Sequence, residues 1–292
     1  MIVTMSNILS IGVAVLDISS RVCGYPEEDD EVRALEQRVS RGGNATNTLV
    51  VLSQLDHHCS WAGVIADDLN SVFIREDLGI NHVGMEYVSV CNNHKTPVSH
   101  ITINSETGSR TIVHYSDLPE LTLADFKRID LGRFDWVHFE GRNIGQTENM
   151  LMHIKDGFDS LPISLEVEKP RGDIDRLFCF ADILLFSRVY ARSAGFADAQ
   201  SLLESMHRDY PETLHYCTWG GQGAYLMNRE GKMVHSPASN IPEIVDTVGA
   251  GDTFNAGIIH AHLASKGERE GLALACKLAG RKCMQTGFDG LG

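Results

Sequence analysis

The chain has 292 residues, 43% hydrophobic and 22% charged, with a formal net charge of −14 at pH 7. That length accommodates one large α/β domain with a sizeable core. The acidic balance argues against nucleic acid or an anionic membrane as partner, so an anionic ligand must be held by a local site working against the overall field.

The opening MIVTMSNILSIGVAVLD is apolar but lacks a basic leader and a small-residue cleavage site, and no run approaches the roughly 20 apolar residues of a membrane span. Seven scattered cysteines without a Cys-x-x-Cys pair fit reduced thiols. Together these features lead us to expect a soluble cytoplasmic protein. The β-branched run ILSIGVAVLDISS predicts a buried strand with Asp17 at its carboxyl end. The acidic run from Glu27 to Glu31 reads as a solvated loop. NATNTLVVLSQL then sets Leu49, Leu52 and Leu55 at helical spacing, with Asn44 placed to cap the helix.

SWAGVIADD predicts a second core strand, with His57 and His58 in the polar connection before it. TPVSHITINSETGSRTIVHYS alternates with period two around SETG, which predicts an antiparallel hairpin. With EVRALEQRV it forms a small separate sheet. Beyond it, FDWVHFEGRN, LPISLEVEKPR, ADILLFS and LHYCTWGG are short apolar runs interleaved with helical stretches such as TENMLMHIKDGF and ADAQSLLESMHRDY. The expected fold is α/β: a mostly parallel central sheet with helices on both faces. We expect a single domain over residues 1–292, with lid segments at about 31–41 and 95–116. Ligands of such sheets sit at the carboxyl ends of strands. Asp17, Glu140, Glu168 and the TWGGQG turn are expected there.

Two glycine-rich helix starts stand out. In VDTVGAGDTFNAG, the small residues Gly249, Ala250 and Gly251 precede Asp252. One reading is a plain loop-to-helix junction with an acid favoured by the helix dipole. The other is an anion cradle of first-turn N–H groups beside a base, the two parts that phosphoryl transfer needs. In RGGNATN, Asn44 and Asn47 lie three apart at a helix start. Amides both donate and accept, which suits neutral sugar hydroxyls. Capping accounts for Asn44 but not for Asn47. The chain has no Gly-x-x-x-x-Gly-Lys-Ser/Thr, no Gly-x-Gly-x-x-Gly after its first strand, and no His-Glu-x-x-His. His260 and His262, two apart, point to different sides of a helix.

These motifs resemble those of the ribokinase-like (PfkB) sugar kinases. Asp246, Thr247, Gly249, Ala250, Gly251, Asp252 and Phe254 match the signature Asp-Thr-x-Gly-Ala-Gly-Asp-x-Phe, and Gly42, Gly43 and Asn44 match the amino-terminal motif. The stretches VLDISS, GSRTIVHYSDLP, HFEGRN, EVEKPR and GFDG are similar to the branch of the family that acts on ketohexoses. The resemblance implies a three-layer α/β domain with a β-sheet lid used for homodimerisation. It implies transfer of the ATP γ-phosphoryl, with Mg²⁺, to the 1-hydroxyl of D-fructose.

By that resemblance Asp252 is the general base and Gly249, Ala250 and Gly251 form the anion hole. Asp17, Gly43, Asn44 and Asn47 bind sugar, while Arg110, Gly221 and Gly223 join Gly249 and Gly251 at the nucleotide. Asp246 matches an acid beside a potassium site, which implies K⁺ activation. Asp29 falls in an acidic loop that reaches a neighbouring subunit's site. Two departures stand against the pattern. LLFSRVYARSAGF lacks the Asn-x-x-Glu pair that organises magnesium in many relatives. TWGGQG differs from the expected AWAEEG, which leaves the donor contacts open. The competing readings are a family kinase for another ketose, a sulfo-sugar, ribose or adenosine, and a sugar sensor without turnover.

Overall fold

The computed structural model describes residues 5–292; residues 1–4, where the opening stretch begins, lie outside the described part. The first strand, β1 (Asn7–Ile11), stops at Gly12, and β2 (Val15–Val22) belongs to a different sheet. The Val13 N–H donates to Glu140 Oε2 at 3.1 Å. A side chain at Gly12 would meet that carboxylate at 2.5 Å. This close approach of backbone to carboxylate turns the chain out of the main sheet. ILSIGVAVLDISS is therefore two strands, and Asp17 lies on the smaller sheet rather than at the end of a core strand.

Next come β3 (Glu36–Gly42), α1 (Asn44–Gln54), β4 (His58–Ala66), α2 (Leu69–Ile80) and β5 (Val83–Cys91). The hairpin around SETG is β6 (Val98–Asn104) paired antiparallel with β7 (Arg110–Tyr115). Then follow α3 (Leu123–Phe126), β8 (Trp136–Glu140), α4 (Ile144–Gly157), β9 (Ile163–Val167) and β10 (Ile183–Ser187). The chain continues through α5 (Arg188–Ser193), α6 (Ala199–Asp209), β11 (Leu214–Thr218), β12 (Ala224–Met227) and β13 (Met233–Ser236). It ends with α7 (Ala250–Leu263) and α8 (Glu268–Cys283).

The main sheet has the order β13-β12-β11-β10-β9-β8-β1-β4-β5, with β12 alone running against the others. Its inner strands are covered on both faces, which is why they read as continuous apolar runs. On one face Leu49, Leu52, Ile74, Phe254, Ile258 and Leu272, from α1, α2, α7 and α8, pack around Trp61 and Trp136. On the other, Met150, Leu151, Ile154, Leu202 and Leu203, from α4 and α6, pack around Phe139 and Phe186. The chain runs outward from β1 through β4 to β5, then returns to β8 on the opposite side of β1. That reversal opens a crevice at the carboxyl ends of β1 and β8.

The smaller sheet has the order β3-β2-β6-β7, so β2 joins the segments expected there. Val39, Ile112, Val113 and Tyr115 leave apolar surface exposed on it. Among the described residues no helix is long and apolar enough to cross a membrane, and all seven cysteines are free thiols.

Candidate active site

The site is built on the starts of α7 and α1. Gly249 caps α7 with φ +79°, a left-handed conformation that side chains resist. An added Cβ there would also lie 2.3 Å from the Phe288 ring. The Ala250 N–H turns back to the Thr247 carbonyl at 3.3 Å. The N–H groups of Gly251 and Asp252 have no protein acceptor among the described residues, as first-turn donors commonly do not. They are free to hold an anion at the positive end of the helix.

Asp252 follows on the buried side of α7 and is 6% exposed. Its Oδ2 accepts from Asn47 Nδ2 at 2.6 Å. Asn47 is aimed by Arg41, whose Nη1 donates to Asn47 Oδ1 at 2.7 Å and to Thr46 Oγ1 at 2.8 Å. Arg41 Nε is held in turn by Asp77 at 2.5 Å. With its oxygen engaged by Arg41, the Asn47 amide can present only its NH₂ side to the carboxylate. Arg41 was not anticipated from the sequence, although it directly precedes the glycine pair.

The α1 cap is Gly43, at φ +110°, and Asn44 is the first helical residue with no capping bond. The expected cap role of Asn44 therefore fails. A Cβ at residue 43 would sit 2.1 Å from the Val13 carbonyl oxygen, so glycine is required where the chain passes β1. Released from capping, Asn44 donates through Nδ2 to Glu168 Oε2 at 3.0 Å.

Three further carboxylates, Glu140, Glu166 and Glu168, surround Asp252 electrostatically. Burial raises the Asp252 pKa to about 7. The Asn47 bond opposes the rise, the charges of Glu168 and Glu140 add to it, and Arg41 opposes it. Glu166, likewise buried, is pushed well above the usual carboxylate range by desolvation and by its acidic neighbours. A bond from Asn44 opposes that rise, and among the described residues the Glu166 Oε2 has no hydrogen-bond partner. The alternating acids of EVE place Glu166 and Glu168 on one side of the strand end (period two), the signal that reveals them. A carboxylate with a pKa near neutral, beside unpaired N–H donors, can take a proton from a hydroxyl while those donors hold an anion.

Asp17 and Asn47 line one cavity of about 180 Å³, together with Arg41, Asp246, Lys282 and Phe288. Burial raises the Asp17 pKa, partly offset by a bond to Ser99 and by the charges of His114, Arg41 and Arg110. Arg110 opens β7 opposite Ile103 and is exposed, and its charge reaches Asp17 without a direct ion pair. TWGGQG forms the turn after β11, with Gly221 exposed. There Gly223 takes φ +89° against the Ser236 carbonyl. Asp29 lies in an exposed loop. Asp246 is bound by the buried ammonium of Lys282, another residue that sequence reasoning missed.

The pattern of the pfkB family carbohydrate kinases matches residues 5–289, and the chain belongs to that family. Ketohexokinase of Mus musculus is 37% identical over 293 residues, covering 98% of each chain. The solved structure of ribokinase from Giardia lamblia has a TM-score of 0.83 at 16% identity, over 99% of this chain and 97% of the other. Arabidopsis thaliana ribokinase, complexed with ribose and ATP, has a TM-score of 0.80 at 20% identity, over 97% and 94%. These two structures share the fold.

Proposed function

We propose that the chain is an ATP-dependent ketohexose kinase that phosphorylates the 1-hydroxyl of D-fructose, giving fructose 1-phosphate and ADP. The observation that carries this reading is the Asn47-held Asp252, its pKa raised to about 7, beside the unpaired N–H groups of Gly251 and itself. The 37% identity to a ketohexokinase over almost the whole chain supports the choice of sugar.

Asp17, Gly43, Asn44 and Asn47 orient the sugar hydroxyls. Asp252 takes the proton of the attacking hydroxyl, which becomes the nucleophile. The first-turn N–H groups of α7, with Gly249 and Gly251 leaving room, stabilise the charge on the group in transit. Arg110, Gly221 and Gly223 serve the nucleotide side. Mg²⁺, held mainly by the nucleotide phosphates, would offset their charge. Among the described residues no three His, Cys, Asp or Glu side chains are grouped to bind a metal. The unpaired buried Glu166 oxygen, among acidic neighbours, is a donor of the kind such a metal would take up. The smaller sheet closes over the sugar as a lid and pairs with a second copy through the surface around Ile112 and Val113.

A panel of sugars and nucleosides assayed by coupled ADP release, with the phosphorylated carbon located by NMR, tests the reading. Fructose should have the highest kcat/KM, with phosphate on C1, because unmatched hydroxyls leave buried polar groups unpaired. A higher value for ribose or adenosine, or phosphate on C6, overturns the assignment.

A further inference from the structure

Lys282 is fully buried near the carboxyl end of α8. Its Nζ donates to Asp246 Oδ2 at 3.1 Å, to the Asp246 carbonyl at 3.2 Å and to the Gln285 carbonyl at 3.2 Å. Three donors thus meet three oxygens, and the Phe288 ring lies 5.6 Å from the ammonium. A carboxylate and two carbonyls are also the ligands that a hard monovalent cation seeks. The K⁺ expected beside Asp246 does not fit here, because the lysine already takes up these oxygens.

The ammonium is linked to the anion cradle through a short chain of contacts. Asp246 Oδ1 accepts the Val248 N–H at 2.9 Å, which fixes the residue before Gly249. The Val245 and Asp246 N–H groups both reach the Cys283 carbonyl, at 2.8 and 3.3 Å. Phe288, packed beside the ammonium, is also the ring that Gly249 abuts. The loop entering α7 is thereby tied to the end of α8 around one positive charge.

We propose that Lys282 is a built-in substitute for a monovalent cation: a positioning residue that sets the phosphate-binding turn through Asp246 and makes the protein independent of K⁺. The activity arm of this proposal rests on the kinase reading above; the stability arm does not.

The test compares wild type with Lys282→Ala in tetramethylammonium, potassium and ammonium chloride at equal ionic strength. Wild-type Tm and kcat/KM for ATP should be the same in all three. Lys282→Ala should lose activity by about 10-fold or more in tetramethylammonium, the scale of a lost supporting contact. It should regain several-fold in potassium or ammonium, with Tm rising by about 2–4 °C as the ion binds the vacated oxygens. Should Lys282→Ala not fold, Lys282→Met with Asp246→Asn removes both charges together, and its Tm should not respond to cation. A wild type whose Tm or rate rises several-fold or by several degrees in potassium overturns the proposal, as does a folded Lys282→Ala indifferent to all three salts. A wild type without turnover in any salt defeats the kinase reading, while the Tm comparison still decides the role of the lysine.

Discussion

The starts of α1 and α7 share a local grammar, a glycine cap with positive φ followed by a polar first turn, yet they offer a ligand opposite things. At α7 the side chains withdraw and leave the N–H groups of Gly251 and Asp252 unpaired. At α1 the side chains do the work, with Asn44 and Asn47 tied to Glu168 and Asp252. One start is suited to an anion and the other to hydroxyls. They meet at the Asn47–Asp252 bond, and that contact turns two ordinary helix starts into one site.

The comparison breaks most sharply at Asp252. Asp252→Asn should lower kcat by about 10²- to 10⁴-fold, the usual share of general-base catalysis, with fructose affinity by calorimetry nearly unchanged. The same variant should be more stable than wild type. The folded-state pKa of Asp252 is raised, from 3.8 to about 7, so the native state binds this proton more tightly than the unfolded chain. Its stabilising contribution is present below the unfolded pKa and lost as pH rises through about 7. The Tm gap between Asp252→Asn and wild type should therefore widen from pH 5 to pH 8. A constant gap would contradict the shift.

The next largest effects separate the two helix starts. Gly249→Ala forces a Cβ into Phe288, and Gly43→Ala forces one into the Val13 carbonyl, both at positive φ. Each should cost about 1–3 kcal/mol of stability by denaturant unfolding. Steady-state kinetics should divide them: Gly249→Ala weakens the response to ATP, and Gly43→Ala the response to fructose. Asn47→Ala removes the bond that opposes the rise in the Asp252 pKa. The acid limb of its pH–rate profile should move above that of wild type, so that activity recovers only at higher pH. Asn44→Ala, which loses contacts with Glu168 and Glu166 but none with Asp252, should raise the KM for fructose by about 10-fold and change kcat far less than Asn47→Ala does.

Much of this was legible in the residues. The parallel core strands, the SETG hairpin and both glycine-rich motifs follow from periodicity and from what small residues permit. The break at Gly12 was not, because the apolar run continues unbroken through it; only Glu140, far along the chain, explains why the backbone turns there. Arg41 and Lys282 escaped for the same reason. Each is an ordinary basic residue until its partner is known, and Asn47 and Asp246 supply the meaning only once the fold brings them near. Asn44 misled because a helix-start asparagine usually caps, whereas here Gly43 takes the cap and the amide turns to Glu168.

A crystal structure with fructose and a non-hydrolysable ATP analogue tests the central claim most directly. The account predicts the C1 hydroxyl within about 2.6–3.2 Å of the Asp252 carboxylate, with the terminal phosphate on the N–H groups of Gly251 and Asp252. Fructose bound with C6 at that carboxylate, or a phosphate held away from the start of α7, would contradict it.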